Sequence, residues 1–316
     1  MPSHQFSSNR TAELPDAVSE KAVRELRGLY VNPIEPAVFS VLTKFRERCK
    51  SGAELGRRVG FHPNTVYDWL HKRKKCLLEA FIKCCDETGI DYIKLLKNGL
   101  LVHGQNKSKT RLPLTLIPKM FWFYGVVATD GYHGKAKGGR VQIAVTQKDH
   151  QFLAEVKRVC IGNFGVAISG PYLNKERGEC RIASRSRILS EILRVFGSVP
   201  FGRKSGRGSP SPKLPCGIDG LPPEYLGAYL AGVIEGDGCV VRRDWYICSY
   251  HRSFLEELAG LLQTKLGIIT TLGRKTRGNE FDLYFPASER KKVFHWIYPY
   301  LSHHKKIRDI LRTVGD

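Results

Sequence analysis

Two apolar segments in different halves of the chain end in the same pattern, and this repetition constrains the fold more than any other feature. Residues 123–131 read FYGVVATDG and residues 230–238 read LAGVIEGDG, so glycine stands third and Asp-Gly stands last in both. A glycine inside a helix costs about 1 kcal/mol relative to alanine, so its recurrence in one register implies a packing role. The pattern predicts two helices whose backbones approach each other through small residues.

Both predicted helices end at an aspartate, Asp130 in the first segment and Asp237 in the second. The glycine that follows each aspartate suits a left-handed residue just past a helix end. A helix C-terminus carries about half a negative charge, so carboxylates there are destabilised and two of them repel each other. A cation is therefore expected, and Mg²⁺ between carboxylates and phosphate oxygens would form a phosphodiester-cleaving site. One Asp-Gly alone would indicate a helix stop, whereas two copies in matched register favour the metal site.

The hydrophobic pattern in each half predicts the same order of elements, namely helix, two strands, helix, two strands and helix. We therefore predict an α+β fold of two pseudo-symmetric αββαββα repeats, preceded by a small all-α domain. The predicted divisions are an N-terminal tail and helix at 1–34, the all-α domain at 35–103, linkers at 104–118 and 198–221, and repeats at 119–197 and 222–316.

The charge of the chain points to a polyanionic partner. Its 316 residues include 51 Lys and Arg against 30 Asp and Glu, which gives a formal net charge of +21. Such an excess is typical of nucleic-acid-binding proteins. The sequence shows no secretory signal and no membrane span, and its nine cysteines form no C-x-x-C pair. These features predict an intracellular protein, cytoplasmic and nucleoid-associated, without a disulfide framework or a zinc site.

Residues 54–70 have the layout of a helix-turn-helix. A small residue, Gly56, precedes the turn glycine Gly60 by four positions, and Pro63 suits the first position of the second helix. The stretch resembles the helix-turn-helix domains of many bacterial and phage regulators. A plain helical bundle that uses Gly60 as a loop is the alternative. The residues predicted to face the DNA groove and its phosphates are Asn64, Thr65, Tyr67 and Lys72.

The paired segments resemble the LAGLIDADG family of homing endonucleases. Residues 230–238 agree with the name-giving letters at six of nine positions, whereas the first segment keeps Gly125, Asp130 and Gly131. The resemblance implies a monomeric enzyme with pseudo-twofold symmetry, in which the two motif helices form the interface and two sheets make a saddle over double-stranded DNA. It also implies that Asp130 and Asp237 bind the divalent ions and that each serves the cleavage of one strand.

The resemblance implies further active-site residues at the end of one strand. Gln147 and Lys148 stand where family members carry a polar residue that orders water, often beside a lysine. The equivalent places in the second repeat are Ser249 and Tyr250, which is a departure from the family pattern.

A charge-stabilising lysine is also implied, and Lys305 or Lys306 resembles it, with Lys305 the assigned candidate. Arg203 or Lys204 takes a comparable place in the first repeat. Long polar side chains on or beside the predicted strands could reach base edges or phosphates. The residues predicted to contact DNA in the repeats are Arg140, Gln142, Arg181, Arg203, Lys204, Arg242 and Arg274.

These observations favour a site-specific DNA endonuclease, a hydrolase of phosphodiester bonds, that uses Mg²⁺ and carries an accessory DNA-binding head. A version embedded in an intein is disfavoured because the sequence lacks terminal splicing residues. Two alternatives remain open. A non-cutting regulator could use the same fold for binding alone, although it would be expected to lose Asp130 and Asp237. An RNA maturase for intron splicing would keep the basic surface without needing cleavage.

Overall fold

The structure is a computed structural model, and we describe residues 11–104, 109–136, 138–202, 210–241, 244–274 and 280–314. The N-terminal part, which we call the head, ends at residue 116. Its elements are β1 (Ala12–Glu13), α1 (Asp16–Glu25), β2 (Tyr30–Val31), α2 (Pro36–Glu47), α3 (Gly52–Val59), α4 (Pro63–Leu70), β3 (Cys76–Leu77), α5 (Leu78–Thr88), α6 (Tyr92–Lys97), β4 (Val102–His103), β5 (Lys109–Thr110) and β6 (Thr115–Leu116).

The head is mainly helical, but the prediction of an all-α domain was wrong. Four strands of two residues each form a small antiparallel sheet in the order β3-β2-β4-β5, and β1 pairs with β6. Strands this short carry no alternating hydrophobic pattern, so the sequence gives no signal for them.

The predicted boundaries of the head also need correction. The predicted linker at 104–118 contains β5 and β6 and buries Leu112 and Leu114, so it forms part of the folded structure. The predicted tail at 1–34 supplies β1 to the pair with β6, and Ala12 lies opposite Leu116 there. Chain segments that the sequence separates are therefore joined by backbone pairing.

Two repeats follow the head, and each has the αββαββα order that the sequence predicts. The first repeat consists of α7 (Pro118–Thr129), β7 (Gly131–Lys135), β8 (Val141–Gln147), α8 (His150–Phe164), β9 (Ser169–Asn174), β10 (Glu179–Ser184) and α9 (Arg187–Val195). The second consists of α10 (Pro223–Asp237), β11 (Gly238–Val241), β12 (Asp244–Ser249), α11 (Arg252–Leu266), β13 (Thr271–Arg274), β14 (Phe281–Tyr284) and α12 (Arg290–Ile297), and it is followed by α13 (His304–Val314).

The two sheets have equivalent topologies. Their strand orders are β7-β8-β10-β9 and β11-β12-β14-β13, and all neighbours are antiparallel. One face of each sheet carries the buried side chains, such as Val145 and Ile182 in the first sheet and Ile247 and Leu283 in the second. The prediction of an α+β fold with two repeats is confirmed.

The motif helices α7 and α10 pack against each other through the glycines that the sequence singled out. A Cβ atom at Gly232 would overlap the carbonyl oxygen of Trp122 and lie 2.9 Å from the backbone nitrogen of Val126. A Cβ atom at Gly125 would lie 2.9 Å from the backbone nitrogen of Val233. Both helices are buried almost completely, so this contact forms the centre of the two-repeat body.

The head is fixed to the first repeat through a buried carboxylate. Glu191 on α9 is 4% exposed, and its Oε2 accepts the Arg27 backbone N–H at 3.1 Å and the Arg194 guanidinium at 2.7 Å. A salt bridge of 3.2 Å joins its Oε1 to Arg187. A buried carboxylate is stable only when it is paired in this way, so the contact holds the head and the first repeat together.

Substituting Gly232→Ala should lower the free energy of unfolding by roughly 1–3 kcal/mol, because its methyl group would displace the α7 backbone. Gly260→Ala on α11 is the matched control, since a Cβ atom there meets nothing within 4 Å. The control should stabilise the protein by about 0.4–1 kcal/mol. Urea unfolding of both variants checks this, and an equal effect of the two substitutions would contradict the packing role.

Candidate active site and nucleic-acid interface

The two motif aspartates lie at helix ends that touch each other. Asp130 follows the last residue of α7, and Asp237 is the last residue of α10. A Cβ atom at Gly236 would overlap Thr129 and lie 3.2 Å from the backbone nitrogen of Asp130. The small residue before Asp237 therefore lets the end of α10 lie directly against the end of α7.

The glycines after the aspartates serve a different purpose from the one predicted. We expected a left-handed residue, but Gly238 has φ −72 and ψ 137 and begins β11, and Gly131 begins β7. A Cβ atom would lie 2.5 Å from the carbonyl oxygen of Val127 at Gly131 and of Ile234 at Gly238. Glycine is needed because each strand leaves its helix so close to the last turn.

Gln147 contacts the first aspartate directly, since its amide donates a hydrogen bond to Oδ2 of Asp130. The strand register defines the equivalent residue in the second repeat. Gly131 pairs with Val145 and Gly238 pairs with Ile247, so the position two residues further on is Gln147 in one sheet and Ser249 in the other. Lys148 is exposed just beyond the end of β8.

Lys306, and not Lys305, faces the motif helices. Its ammonium group donates to four carbonyl oxygens at distances from 2.7 to 3.0 Å, three in the last turn of α10 and one at the first residue of β11. Lys305 is exposed, because one residue turns a helix by about 100° and only one of two successive lysines can face inward. The assignment of Lys305 to the active site was therefore wrong. The four accepting carbonyl oxygens belong to Ile234, Glu235, Gly236 and Gly238.

Lys306 also interacts electrostatically with both aspartates. Burial lowers the pKa of its ammonium group, and the carboxylates of Asp130 and Asp237 raise it in opposition. A cation at this position offsets the negative potential of the α10 C-terminus and of both carboxylates. The unfavourable electrostatics that the sequence predicted are thus partly relieved by a side chain of the protein.

The predicted DNA-contacting residues of the first sheet lie on its open face. Arg181 stands opposite Thr146 on one side and Tyr172 on the other, and Gln142 stands opposite Gly134. Arg181 and Gln142 are half-buried. Arg140 is exposed immediately before β8. Tyr172, with 58% of its surface exposed, lies on the same face and was not among the predicted contact residues.

The second sheet presents a different open face. Tyr246 and Tyr284 pair across two strands with their ring centroids 5.3 Å apart, and Cys248 lies further along β12. Sequence reasoning missed these tyrosines because aromatic residues in a strand are more often part of the core. Arg274 is exposed at the end of β13 and lies on the same side of the sheet as Leu272, not on the face of Tyr246 and Tyr284. The predictions for Arg203, Lys204 and Arg242 fall outside the described residues.

A cleft of about 330 Å³ opens beside Asp237 and between the two repeats. Thr129 and Gly131 line it from the first repeat, whereas Ser249 and Glu280 line it from the second. Oε2 of Glu280 accepts a hydrogen bond from Cys248 at 3.3 Å. Glu280 had no motif around it and was not predicted as a site residue.

The donor set suits a hard divalent ion that keeps most of its water. Within the described ranges, no three His, Cys, Asp or Glu side chains come together as a closed metal site. Mg²⁺ needs only one or two carboxylates, together with water and phosphate oxygens, so Asp130 and Asp237 fit such an ion when nucleic acid supplies the other oxygens.

In the head, α3 and α4 are joined by a tight turn. A Cβ atom at Gly56 would lie 2.6 Å from the carbonyl oxygen of Phe61, so a larger residue would force the helices apart. Asn64 and Tyr67 are exposed on α4, and Thr65 is half-buried. The Tyr67 ring stacks on His71 with centroids 3.8 Å apart.

The basic run after α4 is also exposed. The Lys72 ammonium lies 4.0 Å from the ring centroid of Phe39, and its backbone φ of 58 turns the chain away from the helix. Lys74 pairs with Asp68 at 2.7 Å, which lowers the pKa of that carboxyl group. Exposed polar residues and cations thus follow one another along this edge of the head.

The family comparison matches the second repeat together with α13. Residues 224–315 fit the model of the LAGLIDADG-like domain. This part of the chain is similar to the LAGLIDADG-like domain. The resemblance that rests on residues 230–238 is therefore confirmed. No helix in the described ranges combines the length and the hydropathy needed to span a membrane.

Among curated proteins, the chain is similar to two reverse gyrases. It is 23% identical over 248 residues to the reverse gyrase of Methanocaldococcus jannaschii. That match covers 74% of this chain and 14% of the relative. It is 24% identical over 265 residues to the reverse gyrase of Pyrococcus horikoshii. That match covers 82% of this chain and 14% of the relative. The chain thus spans about one seventh of the length of these relatives.

Solved structures of homing endonucleases are also similar to the chain. I-DmoI in complex with DNA and manganese matches with a TM-score of 0.45 and 17% identity, covering 57% of this chain and 96% of that chain. I-WcaI bound to its DNA recognition sequence matches with a TM-score of 0.40 and 14% identity, covering 58% of this chain and 82% of that chain.

A buried histidine beside the cleft makes the stability of the protein depend on pH. The imidazole of His133 is 2.8 Å from Ser190 Oγ and 3.3 Å from the Val199 carbonyl oxygen. Burial lowers its pKa below 6.5, so the folded state favours the neutral ring. The unfolded chain binds the proton first as the pH falls, and the free energy of unfolding should decrease below about pH 6.5.

Urea unfolding between pH 7.5 and 5.5 checks this expectation. His133→Asn should lower the free energy of unfolding at pH 7.5 by about 1–3 kcal/mol and should make its pH dependence shallower. His71→Gln, at an exposed site, is the control and should leave the slope unchanged. A slope that is the same in the wild type and in His133→Asn would contradict the assignment.

Proposed function

We propose that the protein is a site-specific endonuclease that hydrolyses both strands of double-stranded DNA with Mg²⁺. The observation that carries this proposal is the meeting of two helix C-termini, which brings Asp130 and Asp237 together between the two sheets. The LAGLIDADG-like domain at 224–315 supports the same activity. One chain supplies both aspartates, so the protein would act as a monomer inside the cell, on DNA.

Each aspartate would hold a divalent ion and serve the cleavage of one strand. Held by Asp130 and Asp237, Mg²⁺ would supply charge to neutralise phosphate oxygens and to lower the pKa of the attacking water. The protein's own groups orient the site. Gln147 fixes the carboxylate of Asp130 through its amide, and Lys306 holds the end of α10 beside Asp237. We propose that exposed Lys148 contacts the DNA backbone near the scissile bond.

The open face of the first sheet would read the DNA. Arginine and glutamine donors at Arg140, Gln142 and Arg181 suit base edges in the major groove and the flanking phosphates. In the head, the exposed Asn64 and Tyr67 lead into a basic run, an arrangement that suits a second DNA contact outside the cleavage site.

Asp130→Asn and Asp237→Asn should each abolish double-strand cleavage, because the amide is a poor ligand for the ion. DNA binding should stay within about tenfold, or roughly 1.4 kcal/mol, since these carboxylates do not read bases. The target is first obtained by sequencing the ends that the wild type produces from a randomised duplex library with Mg²⁺. Double-strand cleavage by either variant with Mg²⁺ would refute the assignment.

The same measurements separate the alternative functions. A non-cutting regulator would bind a duplex specifically but produce no ends in the library. An RNA maturase would bind a structured intron RNA more tightly than any duplex. Retention of both Asp130 and Asp237 at the junction favours cleavage over either alternative.

Substitutions in the head should shorten the DNA footprint on one flank only, because a single head extends one side of the two-repeat body. We expect Asn64→Ala with Tyr67→Ala to remove that flank, and Lys72→Gln to reduce the salt slope of binding by about one unit. Arg252→Gln, on the exposed surface of α11, is the control and should change neither. An unchanged footprint would make α3 and α4 part of a plain helical bundle or a protein-binding module.

A further inference from the structure

The start of α13 is held by carboxylates from both repeats. Oδ2 of Asp149, just after β8, accepts the backbone N–H of His304 at 2.9 Å. Oε1 of Glu235, on α10, accepts the backbone N–H of His303 at 2.5 Å and also that of Ser302. The first N–H groups of a helix have no partners within the helix, and Asp149 satisfies that of His304. Glu235 satisfies the two N–H groups just before α13, so the two carboxylates together determine where the helix begins.

The same Asp149 carboxylate also begins a helix of the first repeat. Its Oδ1 accepts the backbone N–H groups of Gln151 and Phe152 at 2.9 and 3.0 Å, which caps α8. Burial acts to raise the pKa of Asp149, but its backbone hydrogen bonds and the nearby His303 imidazole outweigh burial and lower the pKa. One ionised side chain therefore starts one helix in the first repeat and another at the end of the second.

Side chains of α7 also contact Glu235 and the segment just before α13. Oε2 of the fully buried Glu235 accepts the indole N–H of Trp122 at 2.5 Å. The Lys119 ammonium donates to the Tyr300 carbonyl oxygen at 3.0 Å and to Ser302 Oγ at 3.1 Å. The segment before α13 thus rests on the first repeat, although it belongs to the second in sequence.

The Asp149–His304 hydrogen bond lies close in sequence to the two side chains that support the motif aspartates, Gln147 and Lys306. Gln147, which contacts Asp130, is two residues before Asp149. Lys306, which holds the end of α10 beside Asp237, is two residues after His304. A shift of His304 away from Asp149 would move Lys306 relative to both aspartates, because a helix turn moves as a unit.

We propose that Asp149 is a positioning residue that keeps the two half-sites aligned by tying the end of β8 to the start of α13. This inference rests on the proposed nuclease function. It predicts that loss of the Asp149–His304 hydrogen bond slows the cleavage of both strands in the same proportion, whereas loss of Gln147 slows mainly the strand served by Asp130.

Asp149→Asn removes this hydrogen bond together with the 3.5 Å contact between Oδ2 of Asp149 and Nδ1 of His303. Asparagine is as good a helix cap as aspartate, so its Oδ1 can still cap α8, but its NH₂ group cannot accept the His304 N–H. Asp149→Ser is a second variant that caps α8 and is too short to reach His304. The matched control is Ser186→Ala. It removes the hydrogen bond from the Leu189 backbone N–H to Ser186 Oγ, which caps α9, and leaves α13 unchanged.

Hydrogen exchange measures the anchor without any cleavage. The amides in the first turns of α13, including that of Ile307, should exchange at least about tenfold faster in Asp149→Asn and Asp149→Ser than in the wild type or in Ser186→Ala. Single-turnover cleavage of each strand at saturating enzyme should fall by about tenfold for both strands. The Kd for target DNA, measured with Ca²⁺, should stay within about threefold, which a general loss of structure would not allow.

The outcomes separate the two proposals. Wild-type exchange in α13, or wild-type cleavage of both strands, in Asp149→Asn and Asp149→Ser would overturn the positioning role and leave the nuclease function intact. Equal changes in Ser186→Ala would overturn it as well, since any lost helix cap would then suffice. A wild-type protein that cuts no DNA would refute the nuclease function and with it the alignment, and hydrogen exchange would still show whether Asp149 anchors α13.

Discussion

The close contact between α7 and α10 is the constraint on which the rest of the structure depends. Their backbones approach so closely that a Cβ atom at Gly232 or Gly236 would overlap the other helix. Because the helices touch along this line, their C-termini meet, and the strands that leave them form two sheets with the same order. The position of Asp130 beside the end of α10 follows from this packing.

The contact between α7 and α10 concentrates negative charge, which Lys306 and hydrogen bonds partly offset. Two helix C-termini and two carboxylates meet in one region, where Lys306 binds four carbonyl oxygens and Gln147 binds Asp130. The remaining negative potential favours a divalent ion with phosphate oxygens, which is the basis of the proposed activity. Glu235, one residue before Gly236, does not face this site and instead organises the start of α13.

The two halves of the body have one topology but different chemistry. The Gln147 position is occupied by Ser249 in the second sheet, and the open faces carry Arg181 in one half and the Tyr246–Tyr284 pair in the other. Under the proposed function, such differences would suit a DNA target whose two half-sites differ in sequence, because each sheet would meet its own set of base edges.

The sequence by itself determined the repeated element order, the helix pair and the two aspartates, because hydrophobic period and glycine register are local signals. It could not choose between Lys305 and Lys306, since that choice depends on which side of α13 packs against α10. It missed Asp149 and Glu280, whose neighbours are distant in the chain, and the two-residue strands of the head, which are too short to show a pattern. Tertiary packing decided these features because hydrogen bonds such as that between Asp149 and His304 join residues that only the folded chain brings together.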